Sequence, residues 1–221
     1  MLTDSVALVK YSKKEDRLNC LTHAAGAVAA AVVLAVCLAS SVTAGDGYKI
    51  FSAAVYGSSM IVLYTASAVY HGLPEGPAKK RARMVDYSMI FVLIAGTATP
   101  CALIGLYDKS PSLCRFVFLT AWGCAVIGIA STVLFFQKTR VLRIVMYIAE
   151  GVVMFSSVFP ILNEIDKRAL GILLLGGLVY ILGMLFLRWG QKRQYAHTVF
   201  HLFVLAGSAI HFYAINEYMF T

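Results

Sequence analysis

The chain reads as long apolar stretches broken by short polar connections. Seven stretches stand out, at about Leu18–Thr43, Ile50–Tyr70, Met84–Tyr107, Leu113–Phe136, Val141–Leu162, Ala169–Leu187 and Ala196–Ile215. Each is close to the roughly 20 residues that a helix needs to cross the hydrocarbon core of a bilayer. The connections carry turn chemistry: Ala44-Gly45-Asp46-Gly47, Pro74-Glu75-Gly76-Pro77, Ser110-Pro111-Ser112 and Asn163 to Lys167. Open strands would leave backbone groups unsatisfied in lipid, and a closed barrel shows short alternating segments instead of long apolar runs. The pattern predicts an all-α, polytopic membrane protein with seven transmembrane helices. Residues 1–17 form an N-terminal tail and 18–217 a single helical domain.

Composition agrees with that reading: 60% of the 221 residues are hydrophobic and 14% charged, against about 25% charged in a soluble domain. The net charge of +8 does not indicate nucleic acid, because the charges sit in clusters between apolar stretches and no nucleic-acid module is present. Of the 19 Lys and Arg, 14 lie in the N-terminal tail and every second connection, and 5 on the other side. The positive-inside rule places the N-terminus in the cytoplasm and the C-terminus outside. The first apolar stretch is longer than a signal-peptide core of about 7–15 residues, so it reads as a retained helix. The five cysteines, with no C-x-x-C pair, indicate neither a thiolate zinc site nor a disulfide framework.

Polar groups inside a membrane are costly and each needs a reason. In the last helix, His197 and His201 are four apart and share one face, the spacing with which a helix offers two imidazoles to one metal. Two packed, hydrogen-bonded interfacial histidines would have the same spacing. The second helix ends with Ser67-Ala68-Val69-Tyr70-His71, and the third opens with Val85-Asp86-Tyr87. Alternation of the helices brings His71, Asp86, His197 and His201 to one membrane depth, on the cytoplasmic side. Three imidazoles beside a carboxylate is the composition of a catalytic zinc site with an open position for water.

The chain resembles the progestin and adipoQ receptor superfamily, in particular its bacterial hemolysin III branch. The matching pieces are Asn19-x-x-x-His23-x-x-Gly26; Ser67-x-x-x-His71; Asp86 followed by Ile90 and Ala95-Gly96-Thr97-x-Thr99-Pro100; and His197-x-x-x-His201 followed by Gly207-Ser208 and His211-Phe212. From about Pro111 to Gln194 only the apolar helices match. The resemblance implies a seven-helix fold with a cytoplasmic N-terminus and a Zn2+ ion held by His71, His197 and His201. Asp86 and Ser67 would then hold the reacting water. The wider group resembles alkaline ceramidases, which implies hydrolysis of lipid amides.

Three functions follow from these residues. The first is an intramembrane zinc hydrolase in which Asp86 is the general base and a membrane amide or ester lipid is the substrate. The second is a receptor-like or membrane-homeostasis regulator with structural zinc. The third is a lytic hemolysin, which needs a continuous polar stripe; apart from Arg115 and Glu150 the helix centres are nearly free of charge. His23 lies near the site, either orienting a ligand or hydrogen-bonded to a neighbouring helix. His211 is 14 residues beyond His197, about 21 Å along a helix, and reads as structural. Glu150 falls mid-helix, where it either lines a lipid cavity or proton path or, the favoured reading, makes a neutral interhelical hydrogen bond. The location is the cell membrane, multi-pass, the inner membrane in a bacterium. No nucleic-acid partner is expected.

Overall fold

The computed structural model of the protein describes residues 6–157, 161–190 and 193–221. Seven α-helices follow one another: α1 Lys13–Ala44, α2 Gly47–Gly72, α3 Pro77–Leu103, α4 Pro111–Phe135, α5 Arg140–Ser157, α6 Lys167–Trp189 and α7 Ala196–Ile215, which continues into a π-helical turn, Asn216–Phe220. Among the described residues there is no strand.

Local sequence sets the helix ends. Ser12 caps α1 by accepting from the Glu15 amide at 3.2 Å, and Gly45 closes the helix in the left-handed conformation at φ 66°. Asp46 caps α2 by accepting from the amides of Tyr48 and Lys49, and Asp166 caps α6 in the same way. Pro77 and Pro111 stand in the first turns of α3 and α4, where the amide they lack has no helical partner.

Among the described residues six helices are long and apolar enough to cross a membrane: α1, α2, α3, α4, α6, and α7 with its π-helical continuation. α5 is not one of them. It is 18 residues long over its described length and carries Arg140, Arg143 and Glu150. The fifth apolar stretch of the sequence extends past Ser157 into residues 158–160, outside the described residues. By length and composition the described residues hold six candidate spans, where the sequence suggested seven.

The bundle turns a soluble protein's polarity inside out. Val28, Val32, Leu119, Val126 and Ile127 stand exposed on α1 and α4, while Ser52, Ser59, Ser67, Thr97, Thr99 and Thr132 are buried. Lipid solvates the outward side chains, and small hydroxyl-bearing residues inside the bundle let the helices approach closely. Thr97, Thr99 and Thr132 each donate to the carbonyl one turn back on their own helix. Helices α1 to α5 pack each on the next, and α7 packs on α6 and α1 and touches α3; α5 meets α6 only sparsely. Gly26 permits the close approach of α1 to its neighbours: a Cβ there would lie 2.6 Å from Leu205 of α7 and 3.2 Å from Tyr64 of α2. The five cysteines are all free.

Candidate metal centre

Packing of α1 against α2 and α7 brings three histidines together at the end of the bundle that carries the N-terminal segment. His71 is in the last turn of α2, and His197 and His201 are in the first two turns of α7. All three are buried, and their ligand atoms lie within 4.8 Å of one another. His197 Nε2 is 3.2 Å from His71 Nε2 and 3.2 Å from His201 Nε2. Three nitrogens bound tetrahedrally at 2.0–2.1 Å would stand about 3.3 Å apart.

The outer nitrogens settle the tautomers of two rings. His71 Nδ1 lies 2.9 Å from Asp16 Oδ1. A carboxylate only accepts, so Nδ1 carries the proton and Nε2 presents a lone pair. His201 Nδ1 lies 3.2 Å from the carbonyl oxygen of Asn19 and 3.2 Å from Thr22 Oγ1. The same argument leaves its Nε2 bare. Both lone pairs converge on His197 Nε2, whose single possible proton can serve only one of them. His197 Nδ1 is buried with no hydrogen-bond partner among the described residues. The cluster is electron-rich with no internal solution, and a divalent cation bound by neutral imidazole removes the conflict. The residues fit a metal.

A layer of orienting contacts surrounds the cluster. Lys79 Nζ donates to Asp16 Oδ2 at 2.8 Å and to the Leu73 carbonyl at 3.1 Å, so a buried ammonium fixes the carboxylate that fixes His71. Carboxylate–histidine pairs of this kind hold ring orientation and raise ligand basicity. Thr198 donates to Asn19 Oδ1 at 2.6 Å, tying α7 to α1. His23 lies flat on His201, ring centroids 3.6 Å apart and planes 7° from parallel, and among the described residues neither of its nitrogens has a hydrogen-bond partner. Tyr11 stacks on His197 at 5.1 Å from above, and burial pushes its phenol far above the ordinary range, so it is neutral. Glu15 accepts from the Tyr195 amide at 3.0 Å, and Tyr195 takes a left-handed φ of 61° where α7 begins.

Ser67 is one turn before His71. Its hydroxyl is buried and among the described residues meets no partner at hydrogen-bonding geometry. Asp86, buried on α3, faces it, with Arg83 as the cation acting on that carboxyl. Among the described residues no carboxylate joins the tight group of three nitrogens. His211 lies apart: its Nε2 donates to the Leu173 carbonyl at 2.9 Å. Gly176 makes room for it, since a Cβ there would meet the ring 2.2 Å away. Glu150 is buried with both carboxyl oxygens lacking a hydrogen-bond partner among the described residues, so the interhelical hydrogen bond expected of it is not formed there.

Asp16, Thr22, Tyr11 and Lys79 were not singled out by sequence reasoning. Asp16 and Lys79 sit in polar runs that read as membrane flanks. The one available signal was position: Asp16 stands one helical turn before Asn19, on the face that leads to His23.

Below the histidines lies an apolar cavity of about 590 Å³ bounded by α3, α5, α6 and α7. Phe200 lines it, and its ring centroid is 5.5 Å from that of His197.

Residues 11–212 match the family described as Haemolysin-III related. Hemolysin-3 of Bacillus cereus is 29% identical over 99% of this chain and 98% of its own length. The hemolysin-3 homolog of Bacillus subtilis (strain 168) is 30% identical over 94% and 96%. The human monocyte to macrophage differentiation factor is 28% identical over 93% and 85%. The matched region runs from Tyr11, above the histidines, to Phe212 of α7, and so contains all three of them. The chain therefore belongs to the Haemolysin-III related family, the hemolysin III branch of the progestin and adipoQ receptor superfamily, as a multi-pass membrane protein.

Proposed function

We propose that this protein is a zinc-dependent hydrolase of amide or ester lipids acting within the bilayer. The observation that carries the reading is the convergence of three Nε2 atoms, two of them bare of protons and oriented from behind by Asp16 and by the Asn19 carbonyl. His71, His197 and His201 would hold Zn2+. Zinc, when bound, supplies a Lewis acid and a water that ionises near neutral pH. Asp86 accepts the proton of the attacking water as general base, and the unpartnered Ser67 hydroxyl positions that water. The apolar cavity beside Phe200, and the sparse packing of α5 on α6, suit an acyl chain entering sideways from the membrane. The topology proposed is seven spans with a cytoplasmic N-terminus and an external C-terminus, supported by the 14 against 5 distribution of Lys and Arg.

A second reading keeps zinc and drops turnover: a membrane-homeostasis or receptor-like regulator in which the metal clamps α2 to α7. The observation favouring it is that Asp86 stands outside the group of three nitrogens. The relatives named hemolysin suggest lysis as a third reading, but these helices carry little charge at their centres.

The test is zinc content of the purified protein measured beside hydrolysis of a panel of amide and ester lipids. The hydrolase reading expects one zinc per chain and turnover that a chelator abolishes and zinc restores. Zinc-loaded protein inert on every lipid would transfer the assignment to the regulator.

A further inference from the structure

The end of the bundle that holds the histidines carries a second pocket, of about 560 Å³, between the N-terminal segment, α3, the α4–α5 turn, α5 and α6. Among the described residues five cations line it, Lys10, Arg83, Arg140, Arg143 and Arg188, and no Asp or Glu does. Two of the five are buried, Arg143 at 2% exposure and Arg83 at 7%. Arg143 donates to the Phe136 carbonyl at 2.7 Å and to Thr139 Oγ1 at 2.8 Å, and Arg83 donates to the Ala7 carbonyl. Among the described residues each still has a buried Nε without a partner, and neither makes an ion pair with a carboxylate. Asp86, three residues along α3 from Arg83, faces Ser67 and does not line the pocket.

Both guanidinium groups lie against the same two rings. Arg83 is 5.3 Å from the centres of Tyr87 and Phe136; Arg143 is 5.3 Å from Tyr87 and 4.4 Å from Phe136. The aromatic platform holds two like charges at close quarters in a poorly solvated place. Buried charge is costly without a counter-charge, and ring faces offset only part of that cost. Asp86 acts as a counter-charge on Arg83 alone, and among the described residues Arg143 has none; the partner that would serve both guanidinium groups is an anion in the pocket. Planar guanidinium forks match the oxygens of a phosphate bidentately, and basic pockets between membrane helices suit phosphorylated head groups. The surroundings agree: Tyr147 and Leu187 line both this pocket and the apolar cavity, so a polar head here has an apolar space directly beside it.

We propose that this pocket binds a phosphate group, gripped by Arg83 and Arg143 and drawn in by Lys10 and Arg188 at its mouth. The group is the head of an anionic phospholipid or free phosphate; the chemistry of recognition is the same. The site is distinct from the histidine cluster and stands whether or not zinc is bound.

The full chain is purified in maltoside detergent, which carries no phosphate, and its thermal midpoint is followed while dioctanoyl phosphatidylglycerol or inorganic phosphate is titrated in. Three proteins are compared: wild type; Lys10→Gln/Arg188→Gln, which alters exposed residues at the mouth and spares the fold; and Lys80→Gln/Arg81→Gln, which removes two charges outside the pocket. The expected result is a saturable rise in midpoint for wild type, with an apparent Kd raised about fivefold for each pocket charge removed and unchanged in the Lys80/Arg81 control. A response to phosphatidylglycerol alone assigns the phosphate to lipid, and a response to inorganic phosphate assigns it to the free ion. Absence of a saturable response to both, or an equal loss in the control, overturns the proposal. Arg143→Lys keeps the charge and loses the fork, and a wild-type Kd in that variant would also overturn it.

Discussion

Replacing Asp16 probes the metal centre without touching any of the three nitrogens. The carboxylate sits 2.9 Å from His71 Nδ1 and 2.8 Å from Lys79 Nζ. Asparagine keeps an oxygen that can accept from His71, but its amide group would turn an N–H toward the ammonium of Lys79. The ring orientation survives in part and the negative charge behind it is lost. Removal of such an outer partner costs about 10–100-fold in metal affinity, about 1.4–2.7 kcal/mol at 1.36 kcal/mol per tenfold. Asp16→Asn is expected at the low end and Asp16→Ala, which loses the acceptor as well, at the high end. Lys79 is 3% exposed, so both variants also strand a buried ammonium and lower the thermal midpoint of the metal-free protein. Pairing Asp16→Asn with Lys79→Met separates the effects: the apo midpoint recovers and the zinc affinity does not. The assay is competition for zinc against a chromophoric chelator in detergent, beside thermal unfolding with and without metal. Wild-type zinc affinity in Asp16→Ala would refute the argument that the carboxylate sets the His71 tautomer and orientation.

Three further outcomes are expected. Asp86→Asn keeps its zinc and loses about 10²–10⁴ in hydrolysis rate, whereas His197→Ala loses metal and the thermal stabilisation that binding confers; full activity in metal-free His197→Ala would rule out zinc catalysis. Gly176→Ala drives a methyl group into the His211 ring, 2.2 Å from the position of the new Cβ, and lowers stability by about 1–3 kcal/mol with zinc content unchanged; a wild-type unfolding midpoint would show that α6 and α7 separate freely there. A reporter fused after Thr221 reads as external and one inserted within residues 74–80 as cytoplasmic, and cytoplasmic labelling of the C-terminus would overturn the topology.

The membrane character of this chain was legible without coordinates because the bilayer imposes a length and a polarity on every span. Runs of about 20 apolar residues between Gly- and Pro-bearing connections allow little else, and the helices of the structure fall on those runs. α5 also falls on its run, but over its described residues Arg140, Arg143 and Glu150 dilute the apolar signal and it does not count as a span. The pairing of His197 with His201 was equally visible, because a four-residue spacing is a local property of a helix. The arrival of His71 beside them was inferred from which ends of the helices share a membrane face.

Tertiary structure alone decided what stands behind the ligands. Asp16 and Lys79 are ordinary flanking charges until α1 packs on α2 and sets one against His71 and the other against its carboxylate. The Asn19 carbonyl and Thr22 become partners of His201 only through the crossing of α1 and α7, 179 and more residues apart in sequence. Arg83 and Arg143 likewise read as interfacial charges that favour one membrane orientation. Their burial on two shared rings follows from how α3, α5 and the turn at Phe136 come together. Hydropathy records how much of a segment faces lipid, whereas the direction in which a single polar side chain points inside the bundle depends on helix rotation and crossing, which no local pattern encodes.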